Sequence, residues 1–238
     1  MKTLVIGKGQ VGHGLGRVLS DAYEVITYDL VMGDKYLKDI EGLHTDIELL
    51  IIAFPWSDKF IDSVKEYEHK FCPKYTVVVS TVPVGTCEKL DAWHSPISGK
   101  HPNLGESIAI HTRWIGGPYN EDLARYFKKA NMRPEWTETA RETEFLKLAS
   151  TTLYAVNIEF ARYMKEVCDL EGFDYENSKL WNQDYNELYM KLGLPQFQKF
   201  VLNAPEGKIG GHCIVSNANI LQEQYPNPLV KVVVDNNK

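Results

Sequence analysis

The sequence lacks most of the features that announce a specialised protein. Its four cysteines (Cys72, Cys87, Cys168 and Cys213) form no C-x-x-C pair, which excludes zinc ribbons and thioredoxin-like motifs and suits reduced thiols. His94, His101, His111 and His212 follow no spacing known for a metal site, so no metal is expected. Long apolar runs are also missing. The longest, Leu49–Phe54, falls far short of the roughly 20 residues that cross a bilayer. There is no basic excess: 26 Lys+Arg face 32 Asp+Glu, a net charge of −6, which argues against nucleic-acid or anionic-membrane partners. No repeat or low-complexity tract interrupts the 238 residues. Met1 and Lys2 lead directly into Thr3–Ile6, which reads as a strand rather than a secretory leader. With 44% hydrophobic and 24% charged residues, the expectation is a cytoplasmic globular protein with a real core.

What is present is an alternation. Strand-like segments at Thr3–Ile6, Glu24–Tyr28, Leu49–Phe54, Tyr75–Ser80 and Arg113–Ile115 are separated by helix-like segments near 11–20, 57–70 and 120–130. Apolar strands with helical crossovers imply a Rossmann-type, doubly wound parallel sheet covered on both faces. Asn120 is placed to cap the helix through Phe127, and Pro134 to close this half. From Thr139 the character changes. Thr139 and Glu142 fit a capping box, and neither Gly nor Pro appears until Gly172. That predicts one helix of about 32 residues. Phe145, Ala149, Val156, Phe160, Met164 and Val167 mark one apolar face, while Leu146, Leu148, Leu153 and Ile158 fall on others. Such a helix is too apolar all round to be half exposed, so a homodimer through it is expected. Further helices are expected near 175–191 and 217–224, with 227–238 open between strand and helix. The division is a nucleotide-binding domain, 1–136, and a helical substrate and dimerisation domain, 137–238.

Gly7-Lys8-Gly9-Gln10-Val11-Gly12 is a G-x-G-x-x-G turn between a strand and a helix. Gly7 allows the tight turn, Gly9 the approach of a pyrophosphate, and Gly12 close helix–strand packing. Backbone donors at Gln10 and Val11 open the helix N-terminus, a natural phosphate site. Asp29 ends the second strand, where a carboxylate accepts ribose hydroxyls and repels a 2′-phosphate, so NAD is favoured over NADP. Phe54 and Pro83, at the ends of the third and fourth strand segments, complete the cofactor-side candidates.

Four further segments carry a family resemblance. Ser80-Thr81-Val82-Pro83-Val84-Gly85-Thr86 resembles the S-T-x-P-x-G-T loop of the UDP-glucose/GDP-mannose dehydrogenase family. Ser95-Pro96 resembles the start of its S-P-E segment, Glu144-Phe145-Leu146-Lys147 its E-x-x-K helix, and Gly210-Gly211-His212-Cys213 its G-G-x-C loop. The resemblance implies NAD-linked oxidation of a sugar 6-hydroxyl through an aldehyde and a cysteine thioester. Cys213 would be the nucleophile, Lys147 would stabilise oxyanions, and Thr81 would sit beside the nicotinamide. Thiol addition to an aldehyde and an ammonium beside the developing charge suit these residue types.

The pattern has departures. Ile97 stands where the family has a glutamate, Thr151 where it has an asparagine, and Asn217 where it has an aspartate. The family's C-terminal nucleotide-sugar-binding domain is not expected, because the chain ends near where that domain begins. A competing resemblance is His101-Pro102-Asn103-Leu104-Gly105, similar to the H-P-x-x-G segment of prephenate and arogenate dehydrogenases, in which His101 would contact the substrate hydroxyl. The candidate catalytic residues are thus Cys213, Lys147, Thr81, Thr151, Asn217 and His101. The expected activity is NAD-dependent oxidation of a CH–OH group on a small or nucleotide-sugar substrate; a non-catalytic NAD-binding module is the alternative of a different class. Cys213 as a buried thiol, Lys147 as a solvated surface lysine and His101 as part of a solvated turn are the plain readings that the structure must exclude.

Overall fold

The structure, a computed structural model, describes residues 1–29, 46–99, 104–209 and 212–237. The chain divides into two compact units, Met1–Lys147 and Leu148–Lys238. The sequence division at 136/137 comes earlier, because the first turns of the long helix belong with the sheet.

In the first unit, β1 (Thr3–Ile6), β2 (Val25–Tyr28), β3 (Leu49–Ile52), β4 (Tyr75–Val78), β5 (Trp93–His94), β6 (Thr112–Gly116) and β7 (Arg133–Thr137) form one sheet in the order β2-β1-β3-β4-β5-β6-β7. Every pairing is parallel except β5 with β6. The strands alternate strictly between two apolar layers. Val5, Leu49, Ile51 and Val77 pack with helices α1 (Gln10–Ser20), α4 (Leu104–Ile110) and α5 (Glu121–Lys129). Leu4, Ile6, Leu50, Ile52 and Val78 pack on the other face with Phe60, Val64, Tyr67 and Phe71 of α2 (Phe60–Phe71) and with Leu90 of α3 (Thr86–Leu90). Two covered faces are why these strands read as unbroken apolar runs. Asn120 caps α5 as expected, its Oδ1 accepting the Leu123 N–H at 3.0 Å.

Two expectations for this unit need correction. Pro134 does not close the half; it lies inside β7, an edge strand, where a missing N–H can be accommodated. The Thr139 hydroxyl donates to the Glu142 carboxylate at 3.2 Å, so the pair bond each other where the capping box had each bonding backbone. The strand β5, only two residues long, had no periodicity to betray it.

The long helix α6 spans Ala140–Glu171, 32 residues, and ends at Gly172 with φ +71°, a conformation that suits glycine. Beyond Lys147 it belongs to the second unit, with α7 (Tyr175–Lys191), a short 3-10 turn (Pro195–Phe197), α8 (His212–Gln224) and α9 (Pro228–Asp235). The open segment 227–238 is therefore helical; Asn227 caps α9 by accepting the Leu229 N–H at 2.9 Å. The helix expected near 217 begins earlier, at His212. Leu148, Thr152, Ala155 and Ile158 of α6 are buried, as are Ala218 and Leu221 of α8 and Val230 and Val233 of α9. A buried polar knot joins these helices. Glu159 accepts Arg162 at 2.8 Å, Asn236 at 2.9 Å and Asn237 at 3.1 Å. Among the described residues no helix is long and apolar enough to cross a membrane.

Candidate active site

The strand order reverses direction between β1 and β3, because β2 lies on one side of β1 and every later strand on the other. In an open sheet of this kind, the crevice beyond the carboxyl ends of those two strands is where a ligand binds. The glycine turn sits there. Gly7 has φ +108°, and its N–H donates to Tyr28 O at 2.7 Å. A Cβ on Gly7 would meet the backbone of Ala53 at 2.8 Å, and one on Gly12 would lie 1.8 Å from Gly7 O. Gly9 is the opposite case: among the described residues nothing lies within 4 Å of its would-be Cβ. Two glycines thus close the turn, and the third leaves it open on the outside. Gly9 is also the N-cap of α1, with no side chain to bond the helix's first donors, so the N–H groups that begin at Gln10 and Val11 face outward for an anion. The arrangement fits a dinucleotide's pyrophosphate.

Asp29 follows β2 and reaches the same turn. Its Oδ2 accepts the Lys8 N–H at 2.6 Å, which holds the carboxylate beside the glycines. Phe54 follows β3, its ring 4.8 Å from that of Phe60. Thr81 and Pro83 follow β4, both half-buried. All of the cofactor-side candidates therefore converge at one end of the sheet.

The loop from Ser80 to Cys87 is held at both ends. Ser80 Oγ donates to Phe54 O at 2.6 Å. The buried His94 ring spans from Ser80 O, 3.1 Å from Nε2, to Thr143 Oγ1, 2.8 Å from Nδ1. A carbonyl can only accept, so Nε2 carries the proton and Nδ1 accepts from the threonine. Burial, helped by the Arg113 and Lys147 charges, pushes His94 down to about 3. At the other end, the buried Glu144 carboxylate accepts the N–H groups of Gly85 and Cys87 at 2.6 and 2.8 Å. Burial pushes the Glu144 carboxyl up against those two donors. Thr143 turns its hydroxyl to His94. Reading from sequence missed His94, Thr143 and Glu144 as anchors; the only signal was that Glu144 opened the E-x-x-K match.

Lys147 donates to Ile97 O at 2.8 Å and is half-buried, so it is no solvated surface lysine. Ile97 itself is in the core with Leu104 and Ile108; its side chain fills an apolar layer where the family resemblance has a carboxylate. Nearby, the buried Arg113 donates to Ser95 O and lies 5.7 Å from the Phe127 ring centre; burial lowers its guanidinium to about 9. Sequence reasoning had no signal for this buried cation.

In the second unit, Cys213 is exposed in the first turn of α8. Asn217, one turn further on, is buried, and its amide nitrogen has no hydrogen-bond partner among the described residues. Thr151 is half-buried on α6, one turn beyond Lys147. His101, Gly210 and Gly211 lie outside the described residues, as does any test of the H-P-x-x-G segment. The other thiols separate clearly. Cys72 is exposed, and Cys168 and Cys87 are buried. Cys87 lies in the first turn of α3, a place that can activate a thiol. Burial and the Glu144 carboxylate instead push its thiol well up, away from the reactive thiolate. Among the described residues no three His, Cys, Asp or Glu side chains come together to hold a metal.

No protein-family model matches the chain, and no curated protein does. Solved structures do. The UDP-D-ManNAc dehydrogenase of Pyrococcus horikoshii superposes with a TM-score of 0.75 at 17% identity, over 100% of this chain and 68% of that one. The fold is that of a nucleotide-sugar dehydrogenase. A UDP-glucose dehydrogenase of Pyrobaculum islandicum agrees, with a TM-score of 0.68 at 16% identity over 99% of this chain and 68% of that one. The same architecture occurs in the 3-hydroxyisobutyrate dehydrogenase of Mycobacterium tuberculosis, solved with L-serine, with a TM-score of 0.69 at 14% identity over 99% of this chain and 92% of that one.

Proposed function

We propose that this chain is an NAD-dependent oxidoreductase acting on a CH–OH group of a nucleotide-sugar or similarly small hydroxyl substrate. The observation that carries the reading is the glycine turn at the reversal point of the sheet, closed by Gly7 and Gly12, open at Gly9, with Asp29 bonded to its tip. NAD, when bound, supplies the hydride acceptor. The chain's own residues do the rest. The N-terminus of α1 receives the pyrophosphate, and Asp29 takes ribose hydroxyls. A carboxylate has about four acceptor positions, so the Lys8 N–H does not exhaust it. The same charge repels a 2′-phosphate. Thr81 and Pro83, on the anchored loop, border the nicotinamide end.

Ile97 and Asn217 favour a single hydride transfer over oxidation to the acid. Ile97 offers no carboxylate, and an amide at Asn217 takes up no proton, so neither can act as a base for hydrolysing a thioester. Cys213 can still add reversibly to an aldehyde product: the sulfur bonds the carbonyl carbon, and the oxygen takes the thiol proton.

We infer a homodimer through the second unit. Phe160 and Val167, on the apolar face of α6 that the sequence marks, are exposed. No residue of α7 is buried, with Trp181 74% exposed. A second copy presenting the same helices would cover both, and a self-complementary pair is the commonest solution.

The test is NADH formation by the full chain with NAD and a panel of UDP-sugars, 3-hydroxy acids and prephenate. Turnover of one member supports an alcohol oxidoreductase and names the class. NAD binding with no turnover across the panel would favour the non-catalytic module.

A further inference from the structure

We propose that Glu144 is a positioning residue whose buried carboxylate fixes the Thr81–Cys87 loop against the cofactor. This rests on the functional reading above for what the loop faces; the anchoring is a matter of the first unit alone. The carboxylate is fully buried and accepts two backbone donors, the N–H groups of Gly85 and Cys87. With no exposure, it does not touch a substrate. It acts through the loop.

The donors explain why a carboxylate is needed. The first N–H groups of a helix have no partner within it, and α3 is too short to share the cost over several turns. A local Ser or Asp before α3 would satisfy them. Instead Gly85 occupies that place with φ +91°, and a Cβ there would meet Arg141 Nη1 at 2.9 Å. The cap is supplied from 59 residues away. A remote cap does what a local one cannot: it ties the loop to α6.

The other end of the loop is tied to the neighbouring residue of α6. Thr143 meets His94 Nδ1, and His94 Nε2 meets Ser80 O. Within the loop, Pro83 O accepts both the hydroxyl of Thr86 at 2.7 Å and its N–H at 3.2 Å, which tightens the turn. Consecutive residues of one helix therefore hold the two ends of the segment carrying Thr81 and Pro83. The groups facing the carboxylate are the Cys87 thiol and Glu88, and Glu88 is itself paired with Arg141 at 3.1 Å.

Cys87 is a built-in reporter, because it is buried beneath this anchor. The experiment compares the full chain with Glu144→Ala, Glu144→Gln and Asp29→Ala, measuring alkylation of Cys87 by iodoacetamide, mapped by peptide mass, and the NAD dissociation constant by calorimetry. Losing charge-assisted bonds of this type should raise Cys87 labelling and weaken NAD by about tenfold or more in Glu144→Ala. Glu144→Gln keeps the side-chain volume and one acceptor oxygen, so it should restore part of both, and it carries the test if the alanine variant does not fold. Asp29→Ala should weaken NAD while leaving Cys87 protected. Unchanged Cys87 labelling in both Glu144 variants overturns the anchor. Increased labelling with unchanged NAD affinity overturns the positioning role. If the parent chain binds no NAD, the functional reading fails, and the labelling arm alone still decides whether Glu144 holds the loop.

Discussion

Alanine substitutions at Gly9 and Gly12 should have opposite consequences, and together they separate a cofactor turn from a merely tight one. At Gly12 an added Cβ would lie 1.8 Å from Gly7 O and 2.9 Å from Gly7 C. Those are backbone atoms, held by the Gly7 N–H bond to Tyr28 O, so the turn itself must move. Overpacking against backbone should cost about 3 kcal/mol or more, which lowers the melting temperature by roughly 6 °C or more at this chain length. At Gly9 no described residue lies within 4 Å of the added Cβ, and φ is −59°, ordinary for alanine. Its effect on stability should stay within about 1 kcal/mol, a slightly poorer cap set against a less flexible unfolded chain. The open space is where a pyrophosphate would lie, however, and a methyl group there blocks it. NAD at a hundred times its dissociation constant should stabilise the parent by about 2.7 kcal/mol. Gly9→Ala should show none of this shift. The assay is a thermal melt of each variant with and without NAD. A Gly9→Ala protein that melts like the parent and gains as much from NAD would refute the assignment of this turn to the cofactor.

Other outcomes follow from the same geometry. The parent should prefer NAD to NADP in calorimetric titration, and Asp29→Ala should narrow the gap; equal affinities in the parent would remove the role given to Asp29. Limited alkylation at neutral pH should label Cys213 and the exposed Cys72 while sparing Cys87 and Cys168, and prior labelling of either buried thiol would contradict the assignment of Cys213. His94 is protonated near pH 6.5 in the unfolded chain but resists to about 3 when folded, so its contribution is intact above the upper value and is lost as pH falls towards the lower one. Urea unfolding should show the parent losing about 1.4 kcal/mol per pH unit more than His94→Gln across that window; parallel pH dependences would show that His94 is not held neutral. Light scattering should give twice the chain mass, and Phe160→Glu should halve it without lowering the first unit's melting point; a monomeric parent rules the dimer out.

The sheet and the long helix were legible because their signals are repeated along many residues. Apart from Thr3, Tyr75 and Thr76, β1, β3 and β4 consist of Val, Ile and Leu, which suits strands buried on both faces, and 32 residues without an interior Gly or Pro suit one helix. Isolated signals were less reliable. Pro134 looked like a terminator because its edge-strand neighbourhood is a tertiary fact, invisible in the local sequence. The start of α8 was missed because Gly211, His212 and Cys213 are weak helix formers, so the pattern becomes convincing only from Asn217. At the site, the tight glycine turn and the nearness of Asp29 to it were legible, because the glycine spacing and the strand end place them together. His94, Thr143 and Glu144 were not, because an anchor is defined by a partner far away in the chain. Polar residues bonded to remote backbone leave no periodic trace.

The account depends most on a dinucleotide at the glycine turn, and equilibrium calorimetry of the full chain with NAD and with NADP measures that directly. It predicts saturable binding of one NAD per chain, with NADP weaker by about tenfold or more from the charge of Asp29. No detectable binding of either cofactor would contradict it.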